Sequence, residues 1–277
     1  MALDDAGETD LALGKYFEAL ELDPSRSTTH YNVGLIYKYR NEWAESFRYN
    51  EQAVKLDSSD EAANWNLAIA ATALRDWNSA RRVWHRLGMP IEEGDTPIEQ
   101  DFGVTPVRLN PDGDGEVVWG RRIDPVRVRI LSIPFPDSGF HHGDVVLHDG
   151  APVGYRESQG RRYSVFNALE LFERSTFLTF ESELHMANPE DMDALEAICN
   201  ELDIACEDWT TSVRTICRQC SEGEPHEHHD AHQKEEGWKA RHFVGLATAN
   251  ESSVREALRR WENDARKVAS LDLVEAH

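Results

Sequence analysis

The sequence predicts an α+β protein: an N-terminal all-helical repeat arm followed by an α+β domain with antiparallel strands. Three observations predict it. Ser27–Asp60 lies over Glu61–Gly94 in register, a 34-residue self-similarity. Beyond Gly115 the apolar residues alternate with period two, as half-buried strands do. Two strand-then-helix units, 176–202 and 241–268, follow. The expected organisation is a helical arm over 1–94, a linker over 95–115 and an α+β domain over 116–277.

In the arm, Asn32 lies over Asn66, Val33 over Leu67, Gly34 over Ala68 and Trp43 over Trp77; Ser46 lies over Ala80 and Asn50 over Trp84. A period of this length marks stacked helical hairpins. The first full repeat reads His30-Tyr-Asn-Val-Gly-Leu-Ile-Tyr37, then Trp43, Ser46, Asn50, Ala53 and Leu56-Asp57. The second reads Trp65-Asn-Leu-Ala-Ile-Ala-Ala71, then Trp77, Ala80, Trp84 and Leu87. One period earlier, Ala12, Tyr16, Ala19 and Leu22-Asp23-Pro24 supply only the second half of a repeat, which makes about two and a half.

These residues resemble the tetratricopeptide repeat (TPR) family over about a third of the chain. The resemblance implies two antiparallel helices per repeat, with Gly34 at a close crossing where a side chain would force the helices apart. It also implies a concave groove, lined by the first helix of each pair, that binds a peptide or protein. By register the groove residues are Tyr31, Asn32, Lys38, Trp65, Asn66 and Ile69. Asn32 and Asn66 occupy the position where groove asparagines often hold a peptide backbone in that family. Asparagine offers a donor and an acceptor together. Arrays in the family usually carry three or more repeats, so this short one should lean on the next domain or on a partner.

From Pro90 the composition turns to linker and turn residues, ending in Asp112-Gly-Asp-Gly115. Strands are expected at Glu116–Gly120, Val126–Ile133 and Asp144–His148, with a hairpin turn at Asp149-Gly150. Tyr163–Phe172 reads as a short strand passing into a short helix, and Thr176–Leu184 as a strand. Asn188, Pro189 and the acids after them open a helix that runs to about Leu202. Arg241–Ala249 reads as a strand and Ser252–Ser270 as an amphipathic helix, with Asn250 ahead of it as a cap. The two strand-then-helix units suit a ferredoxin-like pair.

Net charge bounds the partners. At −22 the chain lacks the positive surface that phosphate neutralisation requires, so direct nucleic-acid binding is not expected. A basic protein partner, steered by charge, is. Glu181, Glu183, Glu190, Asp191, Asp193, Glu196, Glu201, Asp203, Glu207 and Asp208 follow one another with no Lys or Arg between them. Glu190, Asp193 and Glu201 fall near one another on the expected helix and are the candidates for a docking patch. Met1–Glu8 is acidic and lacks a signal pattern, and no apolar run approaches the ~20 residues of a membrane helix. The expected location is the cytoplasm, with no membrane partner.

The four cysteines, Cys199, Cys206, Cys217 and Cys220, all fall after residue 198. Cys217 and Cys220, separated by two residues, can direct both sulfurs to one point, and His226 and His228 can complete a tetrahedral Cys2His2 shell. The expected occupant is a structural zinc that staples the polar loop 217–232. His229, His232, Cys199 and Cys206 are alternate ligands. A second cluster, His141, His142, Asp144, His148 and Asp149, suits a metal-dependent enzyme if the side chains converge in a pocket. No nucleophile elbow or glycine-rich phosphate loop is present. The favoured reading is therefore a non-enzymatic protein-interaction module. Its specific form is an acidic inhibitor or immunity-type protein for a basic toxin or nuclease.

Overall fold

The computed structural model describes residues 6–113, 115–210 and 238–274. The chain divides into two units: one runs to Phe102 and takes in Ile123–Val126, and the other comprises Gly103–Arg122 and the chain from Arg127. The architecture is the expected α+β: five helices, then a β-rich unit with mostly antiparallel strands.

The helices of the first unit are α1 (Ala6–Leu22), α2 (Ser27–Tyr39), α3 (Trp43–Leu56), α4 (Glu61–Ala73) and α5 (Trp77–Arg86). The 34-residue period is visible bond by bond. The turn after α2 is closed by Glu42 N donating to Tyr37 O, and the turn after α4 by Asp76 N donating to Ala71 O, both 2.9 Å. Asn41 and Arg75 hold the same left-handed corner, with φ of 57° and 59°. Asp23 and Asp57 each accept from the serine two residues on. His30 Nε2 donates to Pro24 O, and Asn64 Nδ2 donates to Ser58 O.

Gly34 sits at the close crossing of α2 and α3. A Cβ there would lie 2.5 Å from Asn50 Nδ2, and Ser46 Oγ donates to Gly34 O at 2.9 Å. One period later Ala68, Ala80 and Trp84 fill the equivalent space, all wholly buried. Residues read as linker instead pack: Ile91 and Ile98 are buried. Arg81 holds them by donating to Glu92 O and Thr96 O. A buried guanidinium satisfied by carbonyls fixes a proline-containing segment that composition alone marks as loose.

In the second unit, β1 (Val104–Leu109), β2 (Glu116–Arg122), β3 (Arg127–Ile130), β4 (Val145–Ser158) and β5 (Arg161–Glu173) close into a barrel. Neighbours are antiparallel and β1 meets β5 in parallel. Five strands that reverse at each step bring the first and last to the same direction, so the closing seam must be parallel. Val107, Leu109, Val118, Val128, Ile130, Val146 and Ala168 form the core.

Three expectations fail here. The 95–115 linker contains β1. Asp149-Gly150 is not a turn, because β4 runs through it with bulges and reverses at Gln159-Gly160. Those residues have φ of 50° and 72°, the two left-handed positions that a tight hairpin turn demands. Tyr163–Phe172 holds no helix; it is strand throughout, paired with the β4 strand that precedes it across the Gln159-Gly160 turn.

The remaining strands, β6 (Leu178–His185), β7 (Ala205–Asp208), β8 (Arg241–Thr248) and β9 (Lys267–Leu273), form an antiparallel sheet in the order β7-β8-β6-β9. Helices α6 (Glu190–Glu201) and α7 (Glu251–Trp261) link β6 to β7 and β8 to β9. This is the split βαβ arrangement that the paired units suggested. Two strands were not foreseen. β7 has only four residues, and β9 occupies sequence expected to continue α7, which stops at Trp261.

Asn250 does cap α7 through Ser252 N, but Asn188 does not cap α6. Asp191 accepts from Ala187 N and Asn188 N instead. Phe180, Leu184, Leu195, Val244, Leu246 and Trp261 pack between sheet and helices. On the opposite face Trp209 Nε1 donates to Ile133 O at 3.0 Å, and Ile133 N donates to Glu207 Oε2 at 2.8 Å. These bonds lock barrel and sheet together.

Candidate partner-binding site

The residues assigned to the groove separate into two groups. Tyr31, Asn32 and Trp65 are half-buried on α2 and α4. Asn32 has no hydrogen bond to its amide among the described residues, and Trp65 meets the Trp84 ring edge-on at 5.0 Å. Lys38, Asn66 and Ile69 are 2%, 5% and 0% exposed, so they do not offer contact surface. Lys38 Nζ donates to Asn66 Oδ1 at 3.2 Å, which joins the two repeats internally. The period assigns a residue to a helix face but does not say whether that face stays open. Nine of the thirteen residues of α4 are buried.

The acidic run is less negative in space than in sequence. Arg241 pairs with Glu183, Arg260 with Glu201 and Arg266 with Asp191. His242, wholly buried, meets Asp208 at 2.9 Å. Glu207 is taken by Ile133 N. Every one of these partners lies outside the run, so the run itself hid them. Glu201 therefore drops out as a free docking charge. Glu190 and Asp193 remain exposed in the first turn of α6, with no ion pair among the described residues. Glu181 on β6 stands directly opposite Asp272 on β9. Burial, then repulsion from Asp272 and Asp137, raises its carboxyl above the ordinary value.

The 141–149 cluster fastens loops. Asp144 is wholly buried and accepts from His141 N, Ser175 N and the Arg174 guanidinium at 2.7–2.8 Å. His141 Nδ1 lies 3.2 Å from Thr179 Oγ1, and His142 Nδ1 donates to Leu131 O at 2.9 Å. Burial lowers the proton affinity of both imidazoles below the usual histidine range. His148 Nδ1 donates to Asp149 O. Among the described residues no three His, Cys, Asp or Glu side chains gather as metal ligands.

Cys217, Cys220, His226 and His228, with the zinc expected on them, lie outside the described residues, as do His229 and His232. The alternates Cys199 and Cys206 are described, Cys199 buried and Cys206 half-buried. Sequence reading also missed a shallow depression on the β4–β5 hairpin, lined by Pro152, Gly154, Tyr155, Arg162 and Ser164. The Arg162 guanidinium lies over the Tyr155 ring there, 3.1 Å from its centre. A basic residue diagonal to an aromatic across a hairpin would have been a usable signal, had the turn been placed correctly.

No protein-family model matches the chain, and no curated protein matches it. Among solved structures, the chain is similar to a hypothetical protein from Neisseria gonorrhoeae. Identity is 14%, with 63% of this chain and 94% of that chain covered, at a TM-score of 0.29. A likeness of that degree carries no argument about fold or function.

Proposed function

We propose that the protein is a non-enzymatic protein-interaction module, with a tetratricopeptide-like arm that holds a partner at Tyr31, Asn32 and Trp65. The observation that carries this reading is the 34-residue repetition of turn and side-chain bonds across two helical hairpins. It leaves an amide and an indole half-open on successive first helices. An amide without an internal partner suits a peptide backbone, and a half-exposed indole adds a large rigid contact.

The net charge of −22 favours a basic partner, and a toxin or nuclease held inactive is the specific form of that idea. Exposed Glu190 and Asp193 would steer its approach. Among the described residues no helix is long and apolar enough to cross a membrane, and the reading places the protein in the cytoplasm.

The test is quantitative pull-down from source cells with wild type and with Asn32→Ala/Trp65→Ala as bait. A protein enriched by wild type and lost from the double variant supports the reading. Equal recovery by both baits rejects the groove.

A further inference from the structure

The face of α1 that carries Leu13, Tyr16 and Leu20 packs on α2, where it meets Val33 and Ile36. Helical geometry turns Leu11, Lys15, Glu18 and Leu22 to the opposite side. All four are exposed, Leu11 by 68% and Leu22 by 89%. On the same side, a Cβ added at Gly14 would meet nothing within 4 Å. Among the described residues, then, this face stays open.

The stripe carries its own complement. Leu11, Lys15, Glu18 and Leu22 follow at steps of four, three and four residues, the spacing of a coiled-coil seam. The steps read the same in reverse, with the leucines outermost and opposite charges in the middle. In an antiparallel pair with the two-fold axis level with Tyr16 and Phe17, Leu11 of one copy meets Leu22 of the other, and Lys15 meets Glu18. A two-fold interface is self-complementary, so each contact occurs twice. Parallel pairing would set lysine on lysine and glutamate on glutamate, so charge fixes the direction. Lys15 and Glu18 already pair within the helix at 2.8 Å. Across the seam they would form a ring of four alternating charges.

We propose that α1 is a self-association face, on which a second copy of this chain docks its own α1 antiparallel. The inference stands apart from the proposed function, whose residues Tyr31, Asn32 and Trp65 lie on α2 and α4. One short helix from each copy makes a small interface, so the dimer exchanges with monomer.

Sedimentation equilibrium of the full chain, at about 5–500 µM and about 150 mM salt, tests it. At that ionic strength, repulsion between two chains of net charge −22 is screened beyond about 8 Å. The expected mass rises with concentration from one chain towards two and no further. Leu11→Lys/Leu22→Lys should stay monomeric throughout, with the circular dichroism of wild type. Lys15→Glu and Glu18→Lys each put four like charges at the seam, and each alone should weaken the dimer by about tenfold or more. Mixed in equal amounts, these two variants should associate, because every charge on one then faces its opposite on the other. Unfolded variants would not show that rescue. The proposal is overturned if wild type stays monomeric over this range, or if the leucine variant dimerises as wild type does. It is equally overturned if wild type dimerises while the mixed charge variants stay apart.

Discussion

The helical unit and the β-rich unit hold themselves together in opposite ways. In the helical unit the same bond returns every 34 residues: Asn41 and Arg75 turn alike, and Asp23 and Asp57 bind their serines alike. Among the described residues of the β-rich unit no such echo exists, and single buried acids fasten segments far apart in the chain. Asp144 gathers His141, Arg174 and Ser175; Asp191 gathers Ala187, Asn188 and Arg266. The difference teaches that repetition spreads stability over many small equivalent bonds, whereas one-off knots concentrate it.

That contrast makes Asp144→Ala the costliest alanine substitution considered. It strands two backbone N–H groups at about 1–3 kcal/mol each. Arg174 adds little, because its side chain is 39% exposed and solvent receives its charge. An unfolding free energy, from urea titration, lowered by about 3 kcal/mol or more is expected, and a loss below about 1 kcal/mol would show that the knot is not concentrated.

In the helical unit, Gly34→Ala should cost about 1–3 kcal/mol, because the new methyl meets the Asn50 amide. Gly34→Trp should disrupt the arm outright. The equivalent change one period on, Ala68→Gly, should cost only about 0.5–1 kcal/mol, the helix-interior penalty of glycine. Melting followed by circular dichroism separates them, and equal losses would mean the two crossings are not equivalent.

A smaller effect sharpens the repeat. Asn64 receives Arg86 on its Oδ1, whereas His30, one period earlier, has a buried Nδ1 without a partner. His30→Asn with Gln52→Arg copies the second repeat into the first. It should recover about 0.5–1.5 kcal/mol relative to His30→Asn alone.

The smallest effect belongs to the sheet. Glu181 has its carboxyl raised by burial, then by Asp272 and Asp137. The folded form therefore holds its proton to higher pH than the unfolded form, and the associated stability, full below the ordinary carboxyl value of 4.5, is lost as pH rises above it and through the raised value of the folded form. Glu181→Gln should raise stability at pH 7 by about 0.2–1 kcal/mol and leave it unchanged below pH 4. An equal gain at both pH values would assign the effect to packing rather than charge.

What the sequence made legible follows the same division. Helical hairpins join neighbours in the chain and repeat with the sequence period, so Gly34 announced the crossing that it forms with Ser46 and Asn50. The split βαβ units were legible because each strand and helix carries its own periodicity. Barrel closure was not: β1 and β5 pair across some sixty residues, and β4 passes straight through an Asp-Gly pair that elsewhere turns. The candidate site was half legible. Register singled out Tyr31, Asn32 and Trp65, which stay half-buried, but burial of Lys38, Asn66 and Ile69 depends on packing around α4. The acids of 181–208 found their basic partners on β8, α7 and the turn beyond it, out of reach of any local pattern.

The central claim is that the helical arm holds a protein partner while exposed acids on α6 speed its arrival. Binding kinetics of the captured partner, measured at several salt concentrations, test it most directly. Asn32→Ala/Trp65→Ala should raise the dissociation rate, and Glu190→Lys/Asp193→Lys should slow association, most at low salt, without unfolding the protein. A dissociation rate unmoved by the Asn32 and Trp65 changes, in a variant that still folds, would contradict the account.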